Sequence, residues 1–154
     1  MPDHAFHSTR PFDADSGLPA VAVYCSDGRF ASACEQFLEN HLMIERCDRL
    51  VIPGGPGALA EHPEASADAD VLIGNLRFLV TAHKLDRLVL ISHEQCGFYL
   101  HRLQLTESDL LAQQQRDTVA AVQRMRSLTG VSRVEAYRAV IVDDHVSFNA
   151  MAIE

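Results

Sequence analysis

Residues 87–97 read RLVLISHEQCG, and this stretch decides the fold class. Its first six residues, 87–92, are nearly continuous in apolar side chains, which is typical of a strand covered on both faces by other elements. His93 and Cys96 follow at once, and both residue types commonly bind metal ions. The stretch therefore predicts a central strand in a layered α/β domain, with chemistry at the carboxyl end of that strand.

Two strand-helix units are predicted upstream of this strand. Val21–Cys25 is a short, β-rich apolar run, and residues 30–42 place apolar side chains at helical spacing. A second apolar run at residues 50–52 ends in the turn sequence PGGPG at 53–57. Residues 72–83 then mark one face of another helix, so the pattern strand, helix, strand, helix precedes the central strand.

A helix and a hairpin are predicted downstream. Thr106 begins a capping pattern, and the helix that it starts is expected to end at Gly130. Residues 134–142 read as a further strand, Asp143-Asp144 as a turn, and residues 146–153 as a terminal strand that pairs with it.

The whole pattern predicts a three-layer α/β fold with a mostly parallel sheet of flavodoxin-like order 2-1-3-4 and a C-terminal antiparallel edge strand. Residues 1–19 are polar and proline-bearing and are expected to form a flexible N-terminal arm, while residues 20–154 form a single domain. In open sheets of this kind, ligands bind beyond the carboxyl ends of the strands, where the strand order reverses.

Composition excludes several classes of protein. The chain has 154 residues, of which 47% are hydrophobic and 22% charged, values near those of globular proteins. A formal net charge of −8 opposes binding to nucleic acid or to an anionic membrane surface. No apolar run approaches the length of a membrane-spanning helix, and the first residues carry acids and prolines where a signal peptide is apolar. A cytoplasmic location is expected.

Two of the predicted strands end in residues that suit a metal site. Cys25 closes the first strand and is followed by Asp27 and Arg29, while His93 and Cys96 follow the strand at residues 87–92. If these two strands are neighbours, both loops open on one crevice and supply two thiolates and an imidazole. That ligand set suits tetrahedral zinc with the fourth position left open.

Together, Cys-x-Asp-x-Arg at residues 25–29 and His-x-x-Cys-Gly at residues 93–97 resemble the signature of the β-class carbonic anhydrases. The resemblance covers roughly residues 20–150 and suggests a divergent, short member of that family. It implies one zinc ion per chain. The implied zinc ligands are Cys25, His93 and Cys96, and the implied dyad is Asp27 and Arg29, in which the arginine holds the carboxylate off the metal and the carboxylate orients the water on the zinc.

The resemblance also implies an activity and an assembly. The expected reaction is the reversible hydration of CO₂ to bicarbonate by hydroxide formed on zinc, and the expected assembly is a homodimer or a dimer of dimers. Two alternatives stay open: a hydrolase of COS or CS₂ from the same family, and a non-catalytic zinc-binding homologue. A redox role for Cys25 and Cys96 is weaker, because the sequence has no Cys-x-x-Cys motif.

Several positions depart from the family pattern. The family usually has a stretch like Arg-Asn-Ala-Gly-Asn after the second strand, where this chain has IPGGPG at residues 52–57. Ser92 and Glu94 replace the usual glycine and hydroxyl residue beside His93, and Phe98 brings a bulky ring close to Cys96. These departures favour the non-catalytic alternative.

The remaining cysteines and histidines are given structural interpretations. Cys34 lies on the apolar face of the first predicted helix and is expected in the core, whereas Cys47 is expected near solvent. His62 and His83 have no partner at ligand spacing and are expected at the surface of a helix or a loop.

Overall fold

In the computed structural model, which describes residues 5–14 and 17–154, five strands form one sheet. The sheet order is β2-β1-β3-β4-β5. Neighbouring strands run parallel from β2 to β4, and β5 pairs antiparallel with β4. The predicted order and the antiparallel edge strand are confirmed. The strands are β1 Val21–Cys25, β2 Asp48–Ile52, β3 Arg87–His93, β4 Arg133–Val142 and β5 His145–Ala150.

Three α-helices connect these strands in the described part of the chain. They are α1 Gly28–Gln36, α2 Ser66–Ala82 and α3 Glu107–Thr129. Three short segments complete the connections: π-helical turns at Phe37–His41 and Phe98–Arg102, and a 3₁₀ segment at Gly55–Leu59. Helix α3 ends as predicted, because Gly130 takes the left-handed conformation (φ 69°) that lets the chain leave the helix.

The helices cover both faces of the sheet, which gives three layers. On one face, Leu88 and Leu90 of β3 pack with Leu76 of α2 and Met125 of α3. On the other face, Val89 and Ile91 pack with Phe30 and Cys34 of α1. Alternate residues of β3 thus enter opposite cores, which explains why its sequence is apolar without alternation. Cys34 lies in the core, as predicted.

The strand order brings the two motif-bearing loops together. Strands β1 and β3 are adjacent, and Tyr24 pairs with Ile91 in their parallel register. The carboxyl ends of both strands therefore lie at the same edge of the sheet. Cys25 and His93, the last residues of these strands, are placed there by the register alone.

The predicted arm falls only partly within the described residues. Residues 1–4 and 15–16 lie outside them, while residues 5–14 are exposed and contain no helix or strand. Arg10 forms an ion pair with Glu39 at 3.2 Å. The division into arm and domain stays a prediction, as does the compartment. No helix of the described chain has the length and apolar character needed to cross a membrane.

Candidate metal centre

The loop after β1 turns into helix α1 within two residues. Strand β1 ends at Cys25, and Asp27 is the N-cap of α1, with its backbone in the extended region (φ −60°, ψ 108°). The Asp27 carboxylate accepts a hydrogen bond from the backbone N–H of Arg29 at 3.0 Å. This cap satisfies one of the free N–H groups at the start of the helix, which holds the Asp27 side chain at the sheet edge.

The loop after β3 reverses direction to return Cys96 to the site. His93 is the last residue of β3, and Gln95 takes a left-handed conformation (φ 56°). The backbone carbonyl of Cys96 then accepts hydrogen bonds from the N–H groups of Tyr99 and Leu100, both at 3.1 Å. The turn places the Cys96 thiol beside that of Cys25.

The side chains of Cys25, His93 and Cys96 converge as a set of ligand atoms. Their sulfur and nitrogen atoms all lie within 4.8 Å of one another, and the two sulfur atoms are 4.0 Å apart. Two sulfurs on one tetrahedral zinc lie roughly 3.8 Å apart, because each Zn–S bond is about 2.3 Å. All three residues are buried, so this group can hold a metal ion away from bulk solvent.

The His93 ring is oriented for metal binding. Its Nδ1–H donates to the carbonyl oxygen of Glu94 at 2.6 Å, and Phe30 contacts the ring face with a centroid distance of 4.3 Å. The hydrogen bond fixes the tautomer that leaves a lone pair on Nε2. That Nε2 atom is buried without a hydrogen-bond partner among the described residues. A buried nitrogen with a free lone pair, aimed at two thiols, fits a metal ligand.

The contact between the two sulfur atoms shifts the pKa values of Cys25 and Cys96 in opposite directions. Either sulfur can donate in this contact, and it lowers the pKa of the Cys25 thiol below its ordinary value. The same interaction, together with burial, raises the pKa of the Cys96 thiol. A second thiolate in this buried place therefore requires a positive charge between the sulfurs, which a divalent cation supplies.

Asp27 is held beside this group by Arg29. The guanidinium donates from Nε to Oδ1 at 3.0 Å and from Nη2 to Oδ2 at 2.7 Å, which is a two-point contact. The hydrogen bonds from Arg29 lower the pKa of Asp27 to about 2, so the carboxylate is ionised at neutral pH. Its Oδ2 atom lies 4.0 Å from Nε2 of His93. The carboxylate thus lies next to the ligand atoms while both of its oxygens are bonded to arginine.

The unusual glycine turn is matched to the unusual aromatic pair after Cys96. A Cβ atom on Gly54 would lie 2.5 Å from the Phe98 ring, and one on Gly57 would lie 2.0 Å from the Tyr99 hydroxyl oxygen. The two aromatic side chains occupy the space that the missing side chains leave. A cavity of about 270 Å³ adjoins this region and is lined by Ile52, Pro53, Phe98, Arg102 and neighbouring residues of α2.

Four residues near the site were not found from the sequence. Asp117 of α3 is buried and accepts hydrogen bonds from the Tyr99 hydroxyl at 2.7 Å and from Nε2 of His62 at 2.9 Å. Gln114, also buried on α3, contacts the backbone of His93. The prediction of a surface His62 is wrong, because its partner lies 55 residues away and no local pattern reports it.

Two further structural interpretations need revision. Cys47 is buried at 7% exposure rather than near solvent, because it packs into the core on the α1 face of the sheet. His83 lies at the end of α2, half-exposed as predicted, but it does have a partner, since its Nδ1 bonds to the Asp48 carboxylate.

The described fold is similar to that of β-carbonic anhydrases of known structure. The β-carbonic anhydrase isoform I of the protozoan Trichomonas vaginalis matches with a TM-score of 0.54 at 12% identity, over 94% of this chain and 87% of that one. A tetrameric β-carbonic anhydrase of the fungus Sordaria macrospora matches with a TM-score of 0.50 at 15% identity, over 90% and 85% of the two chains. The chain therefore has the β-carbonic anhydrase fold. No protein-family model matches its sequence, and no curated protein matches it significantly.

Proposed function

We propose that this protein is a divergent, short β-class carbonic anhydrase, a zinc lyase that catalyses the reversible hydration of CO₂ to bicarbonate. The observation that carries the proposal is the Asp27 carboxylate, which Arg29 holds at two points beside the converging atoms of Cys25, His93 and Cys96. A site that only needed to bind zinc tightly would gain by using this carboxylate as a fourth ligand. Its restraint by Arg29 favours a catalytic site with one coordination position kept open.

Each site residue has a proposed role. Cys25, His93 and Cys96 would hold the zinc, which would supply a Lewis acid that lowers the pKa of water. Asp27, ionised because of Arg29, would accept a hydrogen bond from the attacking water and orient it. Arg29 keeps the carboxylate in place and prevents it from entering the coordination sphere.

The exposure of the site residues suggests the side from which a substrate enters. The three ligand residues are buried, whereas the Arg29 side chain is 63% exposed. The Asp27 side chain lies between these extremes at 18% exposure. A small, uncharged, linear substrate would thus approach along Arg29 and meet Asp27 before the metal ligands. COS and CS₂ share this shape with CO₂, so a hydrolase acting on them is the first alternative.

The second alternative, a non-catalytic zinc-binding homologue, has its own supporting observation. Phe98 is buried over Gly54, in the turn where the family usually carries polar side chains. The residues that replace them at 52–57 offer no side-chain hydrogen-bond donor to a substrate. This alternative predicts zinc without turnover.

The proposed assembly is a homodimer or a dimer of dimers. Large apolar side chains are exposed at Val71 and Phe78 on α2, at 65% and 69%, and at Val51 on the edge strand β2, at 43%. Val71 and Phe78 are seven residues apart and so share one helix face, which favours burial against a second copy. Light scattering at micromolar concentration tests this, and a strictly monomeric protein contradicts it.

Stopped-flow CO₂ hydration on zinc-loaded protein, with zinc content measured on the same sample, tests the proposed function. About one zinc per chain and CO₂ turnover are expected. Turnover of COS or CS₂ without CO₂ hydration supports the first alternative, and stoichiometric zinc with no turnover of any of the three supports the second. Less than a stoichiometric amount of zinc after loading contradicts the ligand assignment itself.

A further inference from the structure

Gln114 links helix α3 to the backbone of a proposed zinc ligand. Its side chain is buried, with 1% of the residue exposed. The amide nitrogen Nε2 donates to the carbonyl oxygen of His93 at 2.7 Å, and the amide oxygen Oε1 accepts from Nε of Arg138 at 2.8 Å. Both ends of the amide are therefore bonded within the protein, in a chain that runs from β4 through α3 to the end of β3.

The other restraints on this peptide come from β4. The backbone N–H of Glu94 donates to the carbonyl oxygen of Ala139 at 3.0 Å. The Glu94 carboxylate accepts a hydrogen bond from the N–H of Ile141. Gln114, which lies on helix α3, restrains the same peptide from the helical layer next to the sheet, through a hydrogen bond to the carbonyl oxygen of His93. The direction of the His93 side chain follows from where this backbone lies.

The orientation of the Gln114 amide is set by its partner. An amide turned by 180° would place its oxygen against the His93 carbonyl oxygen, and two acceptors cannot form a hydrogen bond. Arg138 can only donate, so it selects the orientation in which Oε1 faces the guanidinium and Nε2 faces His93. Arg138 therefore acts on His93 through Gln114.

We propose that Gln114 is a positioning residue of the metal centre. It fixes the backbone of His93 so that the Nε2 atom of the His93 ring faces the thiolates of Cys25 and Cys96. Arg138 in turn fixes the orientation of the Gln114 amide. The inference rests on the proposed function only in that the site binds zinc. Outer-shell partners of metal ligands typically contribute a factor of about 10 to 100 in metal affinity.

Chelator competition on folded protein tests this with two substitutions. Gln114→Met keeps a similar volume and loses both hydrogen bonds, while Gln114→Glu keeps the acceptor for Arg138 and loses the donor to His93. Both are expected to weaken zinc binding by about 10- to 100-fold and to shift the visible spectrum of the cobalt-substituted protein. Gln113→Met is the matched control, because Gln113 is the adjacent glutamine and donates to Asp117 instead.

Arg138 provides a second, graded measurement that does not alter the buried glutamine. Arg138→Met is expected to weaken zinc binding less than Gln114→Met, and Arg138→Lys, which keeps a donor, is expected to recover most of the parent affinity. Should either Gln114 variant fail to fold, this series still decides the question. Parent-like zinc affinity and cobalt spectra in Gln114→Met would overturn the proposal, and so would parent-like values in Arg138→Met if the Gln114 variants do not fold, even if the variants were less stable.

The affinity ranking is independent of turnover. If the parent protein binds zinc but does not hydrate CO₂, the proposed function is contradicted, while the prediction for Gln114 still stands. Equal losses of affinity in Gln113→Met and Gln114→Met would overturn the Gln114 inference alone, because they would reflect a general loss of stability in α3.

Discussion

The two loops of the candidate metal centre differ in how their polar side chains are held. After β1, Cys25, Asp27 and Arg29 lie within five residues, and the hydrogen bonds of the Asp27 carboxylate join residues two positions apart. One backbone hydrogen bond of this loop is long-range, from the N–H of Ser26 to the carbonyl oxygen of Ile52 at 3.0 Å. After β3, local hydrogen bonds shape the turn, but side-chain hydrogen bonds from distant residues hold it to the rest of the fold: Gln114 is 21 residues from His93, and Ile141 is 47 residues from Glu94. The side-chain contact between Asp27 and Arg29 is thus set by local sequence, whereas the side-chain hydrogen bonds that hold the His93–Glu94 segment come from other elements of the fold.

We therefore expect substitutions in the two loops to affect different properties of the site. The β1 loop carries the charged dyad, whose side chains are partly exposed, so changes there are expected to alter chemistry more than folding. The β3 loop carries two buried residues proposed as ligands, His93 and Cys96, beside β4 and α3, so changes around it are expected to alter metal retention and stability. Substitutions in both loops test this division.

The largest effect is expected from replacing Cys96, a proposed zinc ligand in the β3 loop. Cys96→Ser should lose most of the zinc, because a neutral hydroxyl is a far poorer zinc ligand than a thiolate. Cys34→Ser is the control: Cys34 is also buried, but it packs against Phe30 and Leu38 in the core and faces no metal. Metal analysis after gentle purification measures both, and equal loss from both variants, or from neither, contradicts the ligand assignment.

In the β1 loop, Arg29→Ala is expected to abolish most of the activity without removing the metal. Asp27 would lose its hydrogen bonds from the Arg29 side chain and become free to bind zinc as a fourth ligand. Activity should fall by at least about 100-fold, as is typical when a positioned catalytic group is lost, while zinc content stays near that of the parent. Stopped-flow kinetics and metal analysis on one preparation measure the two quantities.

A double substitution separates closure of the site from simple damage. In Arg29→Ala with Asp27→Asn, the neutral amide is a poorer zinc ligand than a carboxylate, so an added anion should regain access to the metal. The cobalt-substituted parent and double variant should then change their visible spectra on addition of the anion, and the single variant should not. An anion response in Arg29→Ala equal to that of the parent would show that Arg29 is merely structural.

The same contrast explains what the sequence could predict. The fold class followed from strand and helix patterns. Two short motifs at strand ends were enough to predict that Cys25, His93 and Cys96 converge and that Arg29 contacts Asp27, while their roles as zinc ligands and as a dyad stay a prediction. The Asp27–Arg29 contact needed nothing more, because a carboxylate at an N-cap and an arginine two residues later interact locally.

No local sequence pattern indicates which distant residues hold the β3 loop and its neighbours in place. Gln114 is one of three consecutive glutamines, and only the packing of α3 against the sheet selects it for the site. His62 meets Asp117 because a loop and a helix far apart in sequence pack together, and the same packing gives Tyr99 its partner. Pairings of this kind depend on tertiary distance, which periodicity does not encode.

A smaller effect, on stability, is expected at Tyr99 beside the β3 loop. Tyr99→Phe removes a buried hydrogen bond to the Asp117 carboxylate and should lower the free energy of unfolding by about 1.5 to 3 kcal/mol, with zinc content unchanged. Tyr137→Phe is the matched control, because Tyr137 also donates to a carboxylate, that of Glu135, at 3.2 Å in a half-buried place. Urea unfolding measures the free energy of unfolding of both variants. An equal or larger decrease in Tyr137→Phe would contradict the expectation that the Tyr99–Asp117 hydrogen bond contributes more stability.

The smallest effect is expected at Asp27, where stability and chemistry can be separated within one residue. Asp27→Asn keeps the N-cap of α1, since asparagine caps as well as aspartate, whereas Asp27→Ala should cost about 1 kcal/mol of stability through the lost cap.

Because Arg29 lowers the pKa of Asp27 to about 2, the stability from their contact is present above pH 4 and is lost as the pH falls through 2. The difference in unfolding free energy between parent and Asp27→Asn should therefore shrink as the medium is acidified within the range where both fold. Urea titrations with chelator in both samples measure this without a contribution from zinc release. A difference that stays constant with pH would mean that Arg29 does not lower the pKa of Asp27, and the dyad would then lose its electrostatic basis.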